Sequence, residues 1–225
     1  VIKYKAINAC IAFLPTLNGK QLILVEDLIT PDGKLHPVQN AMVKFHGSQC
    51  GFCTPGFVMS MFAMYKNNKL LDNEIINNSL SGNLCRCTGY RPIIDAAKSL
   101  NNETDNDKFL KSKNAIIKLF KKIKLKNIKI QNQNKKYFAP KNIKELKKII
   151  KDNMDAKFLS GGTDLSLEVT KFRKEITKII SLSSVKELDF IKIKKNEIEV
   201  GACTSLLKFE NYIKNYYPDF TNILK

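Results

Sequence analysis

Four of the six cysteines in this 225-residue chain fall into two tight pairs, Cys50-x2-Cys53 and Cys85-x-Cys87, with 31 residues between the pairs. Thiolate sulfur binds soft and borderline metals. Four thiolates satisfy one [2Fe-2S] centre, because each iron takes two terminal sulfurs besides the bridging sulfides. A zinc site of four cysteines also uses them in pairs. The Cys-x-Cys half and the helical stretch between the pairs fit zinc ribbons and fingers poorly, so spacing alone favours iron–sulfur over zinc by roughly two to one. A disulfide framework is the remaining use of paired cysteines. The N-terminal stretch VIKYKAINACIAFLPTLNGK does not read as a secretory signal, so a cytoplasmic protein is expected, and tight pairs in that setting point to a metal.

The elements that must position these sulfurs are legible around them. Pro37 suits an opening helical turn and leads through Val38, Met42, Val43 and Phe45 toward Gly47. Thr54-Pro55 opens a second helix, with Thr54 as its expected cap and Phe57, Val58, Met61, Phe62 and Tyr65 at helical spacing. Asp72 caps a third, and Pro92 opens a fourth through Ile93, Ala96, Ala97 and Leu100. Both cysteine pairs thus lie just ahead of helix starts, where unpaired N–H groups and the positive helix end can face an anionic cluster. Gly51, Gly56, Gly82 and Gly89 let backbone pass close to the sulfurs. Phe52, Phe57 and Tyr90 are placed to limit water access.

Downstream, residues 101–135 begin polar and then form a basic amphipathic stretch with Ile116, Leu119, Phe120 and Ile123 on one face. Such a helix can lie on a membrane, but packing on its own protein is the commoner outcome. Residues 136–225 alternate strand-like and helical pieces. Asn142 and Glu145 make a capping box, and strands are expected at 156–159, 179–182 and 198–200. Between the first two strands lies the turn Ser160-Gly161-Gly162-Thr163-Asp164, whose N–H groups can cradle a pyrophosphate. Alone, such a turn is more often a plain strand-to-helix connection. The net charge of +17 comes from 38 basic and 21 acidic residues. The basic excess is nearly all lysine without interleaved aromatics, so neither a nucleic-acid nor a membrane partner is expected. A zinc-held, lysine-rich nucleic-acid module is the remote competing class. His36 is near no cysteine, His46 reads as a helix-end residue, and Cys203 as a buried structural thiol.

Residues beyond the spacing carry a resemblance. HGSQCGFCTPGFVMSMFAMY (His46 to Tyr65) with SGNLCRCTGYRPIIDAA (Ser81 to Ala97) closely resembles the helical [2Fe-2S] domain of the xanthine dehydrogenase and aldehyde oxidase family of molybdenum hydroxylases. The stretch Ile7 to Cys10 with Phe13-Leu14-Pro15 resembles the end of the family's plant-type ferredoxin domain. This implies that Cys10 is the last ligand of a second cluster whose other ligands would lie upstream. KFLSGGTDLSLEVTKF resembles the family's first FAD-contacting segment, which implies flavin contacts from Phe158, Leu159, Ser160, Gly161, Gly162, Thr163, Asp164 and Leu165. The resemblance also implies that Gln49 and Cys87 lie beside the pterin of a molybdenum cofactor.

The architecture implied is multidomain, α plus α+β. Residues 1–26 are a remnant of a ferredoxin-like β-grasp domain, 27–100 a four-helix [2Fe-2S]-binding domain, 101–135 a linker, and 136–225 the first part of an α+β FAD-binding domain. The chain is expected to be truncated at both ends. The function implied is a relay, as in the small subunit of a two-component bacterial member. Electrons from a purine oxidised on a large molybdopterin-binding subunit pass through [2Fe-2S] clusters to FAD and NAD+. The same relay in an oxidoreductase for aldehydes or other heterocycles is the alternative.

Overall fold

The computed structural model describes residues 2–103, 106–124, 126–195 and 197–224. The chain forms two compact units, one from Val1–Ile7 with Gly19–Lys124 and the other from Asn8–Asn18 with Leu125–Lys225.

The first unit is helical, with α1 (Pro37–Lys44), α2 (Thr54–Asn67), α3 (Asn73–Leu80), α4 (Arg91–Ser99) and α5 (Lys108–Lys122). Proline at the first position of α1 follows a histidine cap. The His36 Nδ1 accepts the Val38 N–H at 3.2 Å, and the His36 N–H donates to Gln39 Oε1 at 3.0 Å. The Asp72 carboxylate accepts the Ile75 N–H at 2.7 Å and starts α3 as expected. Thr54 differs from its expected role. It is the first helical residue of α2, its hydroxyl pairs with Ser48 at 2.7 Å, and Cys53 takes the cap position. Leu28, Val38, Phe57, Met61, Phe62, Ile76, Ile93 and Leu100 are fully buried together. Each such side chain contributes about 1.5–3 kcal/mol of apolar burial. Ala96 and Ala97 on α4 are small enough to let that helix settle against α1.

The second unit runs β1 (Ile128–Asn132), β2 (Lys135–Ala139), α6 (Ile143–Asp152), β3 (Lys157–Leu159), α7 (Leu165–Thr170), β4 (Lys178–Ser181), β5 (Ile191–Ile193), β6 (Ile198–Val200), α8 (Leu206–Ile213) and α9 (Pro218–Leu224). Its main sheet has the order β1-β2-β4-β3. β1 is antiparallel to β2, while β2 and β3 are each parallel to β4. Alternation splits the core between the two sheet faces. Tyr137, Ala139, Leu159 and Ile179 lie on one side, and Phe138 and Ile180 meet Leu146 and Val185 on the other.

Two stretches differ from expectation. β1 lies inside 101–135, the span expected as linker, because an edge strand in which Lys129 separates Ile128 from Ile130 gives only a faint alternation. The described residues of 1–26, expected to continue a β-grasp sheet, hold short 3-10 turns at Ala9–Ile11, Leu14–Leu17 and Glu26–Leu28 and no strand. Phe13 packs on the Tyr137 cluster, which draws Asn8–Asn18 into the second unit. Among the described residues no helix is long and apolar enough to cross a membrane.

A buried ion cluster fastens α5 to the rest of the first unit. Asp107 caps α5 through the Leu110 N–H at 2.8 Å, and it accepts His36 Nε2 at 2.8 Å and Lys66 Nζ at 3.1 Å. The side chains of His36, Asp107 and Lys66 are 2%, 9% and 3% exposed, so water screens little of this. Since His36 Nδ1 already accepts an N–H, its ring proton sits on Nε2 and points at the carboxylate. Burial pushes the Asp107 carboxyl up. Hydrogen bonds from His36, the Leu110 N–H and Lys66 outweigh that and hold it well below the usual carboxylate range. Such a group contributes stability that is complete above its ordinary pKa of about 3.9 and is lost as pH falls. Asp107→Asn is expected to destabilise the first unit by about 3 kcal/mol at neutral pH. In denaturant melts the gap to the native chain should narrow below about pH 4, and a gap constant down to acid pH would contradict this account.

Candidate metal centre and glycine turn

In the first unit the paired cysteines occupy two loops, residues 48–53 between α1 and α2 and residues 81–90 between α3 and α4. Each loop runs directly into the first turn of its helix, as the prolines imply. Gly51, at φ +85°, lets the chain reverse between Cys50 and Cys53 in a conformation costly for any residue with a Cβ. Asn83 fixes the second loop to α2 by donating to Ser60 Oγ at 2.9 Å. A Cβ on Gly56 would come within 3.1 Å of the Asn83 side-chain oxygen, so the close approach of loop and helix requires glycine there.

The thiols that hydrogen-bond one another do so across the loops. The Cys53 thiol faces Cys85, and the Cys87 thiol faces Cys50. Cys53 and Cys85 are half-buried, while Cys50 and Cys87 are exposed. Burial and the neighbouring Cys85 push the Cys53 thiol up, and the Cys50 thiol pushes Cys87 up. Cys85 moves the other way, to about 7, because the Thr88 hydroxyl and the N–H groups of Thr88 and Cys87 donate to its sulfur.

Among the described residues no three His, Cys, Asp or Glu side chains converge as ligands of a single ion. A tetrahedral zinc needs four donors at about 2–2.3 Å from one point, whereas two sulfide-bridged irons need two thiolates each. Two cross-loop thiol pairs fit the second donor set.

Other residues singled out from sequence take varied places. Phe52 is 95% exposed, which corrects the expectation that it shields the sulfurs, and Phe57 lies in the core at 1%. Tyr90 stands closest to a shielding position, with its ring edge-on to Phe57 at 6.3 Å. Gln49 is exposed beside Cys50. His46 is exposed at the end of α1, and His36 belongs to the ion cluster. Sequence reasoning missed Thr88 and the Tyr90 hydroxyl. The Thr88 Oγ1 lies 3.2 Å from Cys85 Sγ and also accepts the Tyr90 N–H at 3.2 Å. The Tyr90 phenol oxygen accepts the Cys85 N–H at 3.0 Å. Tyr90 adopts φ +68°, a left-handed conformation that costs a bulky residue about 1–2 kcal/mol.

In the second unit the glycine turn joins β3 to α7. Gly161 and Gly162 both have positive φ, and a Cβ on Gly162 would meet Leu159 Cδ1 at 2.9 Å. The Gly162 N–H is turned inward to Ser160 O at 2.9 Å, so it does not serve an external ligand. The N–H groups of Gly161, Thr163 and Asp164, all exposed residues, have no partner among the described residues. The buried Ser166 hydroxyl beneath the turn also lacks one. A tight glycine cradle with unspent N–H donors fits a phosphate-bearing cofactor. A salt bridge from Lys157 to Glu168 ties β3 to α7 behind the turn. Phe158 is half exposed and Leu159 is buried. Cys10 is exposed on a 3-10 turn that packs against α7, and Cys203 is half-buried with its thiol 3.7 Å from Leu182 O.

Comparison with known proteins agrees with this division. Residues 24–98 match the family described as [2Fe-2S] binding domain, and residues 128–225 match the FAD binding domain in molybdopterin dehydrogenase. Xanthine dehydrogenase of Oryza sativa subsp. japonica is 30% identical over 267 residues, covering 93% of this chain and 19% of that protein. Aldehyde oxidase 1 of Oryctolagus cuniculus is 46% identical over 104 residues, covering 46% of this chain and 8% of its own length. The solved structure of quinoline 2-oxidoreductase from Pseudomonas putida 86 is 35% identical over 35% of this chain and 52% of that one, with a TM-score of 0.32. The chain spans about a fifth of the length of the xanthine dehydrogenases it matches along most of its own length. With an iron–sulfur domain and the flavin domain of a molybdopterin dehydrogenase following one another in a single chain, the protein belongs to the molybdenum hydroxylase family of xanthine dehydrogenases and aldehyde oxidases.

Proposed function

We propose that this chain is the electron-transfer portion of a cytoplasmic molybdenum hydroxylase and holds a [2Fe-2S] cluster on Cys50, Cys53, Cys85 and Cys87. The observation that carries the reading is the cross-loop pairing of Cys53 with Cys85 and Cys50 with Cys87 inside the segment that matches a [2Fe-2S] binding domain. When bound, the cluster supplies one-electron transfer and FAD supplies exchange between one- and two-electron carriers. The chain's own residues bind and orient. Cys50, Cys87, Cys53 and Cys85 would hold the cluster with two thiolates drawn from each loop. Phe158 to Leu165 hold the flavin pyrophosphate, with N–H donors from Gly161, Thr163 and Asp164. Cys10 is the last ligand of a second cluster, carried on the turn that packs against the α7 helix. Exposed Gln49 and Cys87 face the pterin on a large molybdopterin-binding partner.

The substrate proposed is a purine oxidised on that partner, with NAD+ as final acceptor, in line with the xanthine dehydrogenases matched along nearly the whole chain. An aldehyde substrate is the second reading, favoured by the 46% identity to an aldehyde oxidase across the matched residues. Steady-state assays of the reconstituted complex with xanthine and with aldehydes separate the two.

The ligand assignment is tested by iron and acid-labile sulfide content and by visible absorption bleached with dithionite. Cys85→Ser is expected to abolish the reducible chromophore, and unchanged iron content would sink the assignment. A colourless native chain with stoichiometric zinc would do the same. In the flavin unit, Gly162→Val places a branched side chain at φ +85° and into Leu159. FAD affinity of the full-length protein is expected to fall by about tenfold or more, equivalent to roughly 1.4 kcal/mol. Undiminished FAD occupancy would count against the turn as the pyrophosphate site.

A further inference from the structure

The second cysteine loop closes a ring of three hydrogen bonds on one of its own sulfurs. The Cys85 N–H donates to Tyr90 Oη at 3.0 Å, the Tyr90 N–H donates to Thr88 Oγ1 at 3.2 Å, and Thr88 Oγ1 lies 3.2 Å from Cys85 Sγ. The direction of the last bond follows from the other two. A metal-bound thiolate carries no proton, and the Thr88 oxygen already accepts the Tyr90 N–H, so the hydroxyl hydrogen points at sulfur. Tyr90 stands in the left-handed region at φ +68°, and its ring packs edge-on against Phe57. Among the described residues, the hydrogen bonds that reach the four cysteine sulfurs from a hydroxyl side chain are confined to Cys85.

We propose that Thr88 is a positioning residue for electron transfer. Its hydroxyl, oriented by Tyr90, donates to the Cys85 sulfur and raises the reduction potential of the centre held by the four cysteines. The inference rests on the ligand assignment above. One-electron reduction places more negative charge on the sulfur ligands, and a donor aimed at a sulfur stabilises that state over the oxidised one. The donor reaches the Cys85 sulfur, so its effect would fall first on that ligand.

The test is an EPR-monitored redox titration of the cluster-loaded full chain, comparing the native protein with Thr88→Val and Thr88→Ser. Thr88→Val keeps the shape and loses the donor. It is expected to retain iron and labile sulfide, with a midpoint shifted to more negative potential, while Thr88→Ser stays at the native midpoint. A Thr88→Val chain that loads fully and titrates at the native midpoint overturns the proposal. If Thr88→Val does not load, Thr88→Ser decides. Loading at the native midpoint supports the hydroxyl's role, and failure to load, or a displaced midpoint, overturns it. A native chain without labile sulfide overturns the ligand assignment itself, an outcome distinct from an unmoved potential in a loaded chain.

Discussion

Two loops that lie 31 residues apart in sequence must bring their sulfurs together, and most of the first unit is arranged around that requirement. The thiol contacts bridge the two loops, with Cys53 meeting Cys85 and Cys50 meeting Cys87. The starts of α2 and α4 therefore have to be fixed relative to each other before any metal arrives. Phe57 and Ile93, one near the start of each helix, are both fully buried in the same core. Asn83 reaches from the second loop to Ser60 on α2, and Tyr90 leans on Phe57. Bound irons would then act as cross-links between loops already held near one another, so the ordering cost of assembling the centre is met largely by apolar packing.

The parts of this design that were legible in sequence are those governed by local chemistry. Prolines at 55 and 92 mark helix starts because a missing N–H costs nothing there, and both helices begin where they imply. Asp72 and Asn142 cap α3 and α6 through N–H groups three residues on, which is a short-range geometry. The residues that escaped are joined over long sequence distances or by unusual backbone. His36 and Asp107 stand 71 positions apart, and no periodicity links them. His36 looked inert because the relevant question was its distance from cysteine, while its role is to cap α1 with one nitrogen and hold α5 with the other. Thr88 follows Cys87, yet nothing in the letters Cys-Thr-Gly-Tyr says that the Tyr90 N–H comes back onto the threonine hydroxyl.

The second unit divides in the same way. Strands β3, β4 and β6 were legible as short apolar runs, whereas β1 is an exposed edge strand with only two isoleucines and was absorbed into the expected linker. The segment Asn8–Asn18 shows a different limit. Its likeness to the end of a ferredoxin domain concerns Cys10 and its neighbours, but its place in the fold is decided by Phe13, which finds a cluster formed by β2, β3 and β4. Sequence similarity reports what a segment descends from, and the burial of one aromatic ring reports where it packs.

The two candidate sites stabilise negative charge by different physical means, and each suits its chemistry. At the cysteines the charge of the proposed centre would sit on sulfur bound to metal and would change by one electron at a time. Graded donors, a hydroxyl and two N–H groups on a single half-buried sulfur, would adjust a potential without altering the ligand set. At the glycine turn the proposed anion is a fixed pyrophosphate that must be held in place and not tuned. Helix α7 is only six residues long, so its dipole adds little, and the donors are the backbone N–H groups of Gly161, Thr163 and Asp164 in a turn built on two glycines at positive φ. The inward hydrogen bond of Gly162 makes the turn rigid, and the clash its Cβ would create shows how little space remains behind it. Rigidity at the turn and adjustable donors at the sulfurs are what a chain needs if it is to hold one cofactor still while matching the potential of another to it.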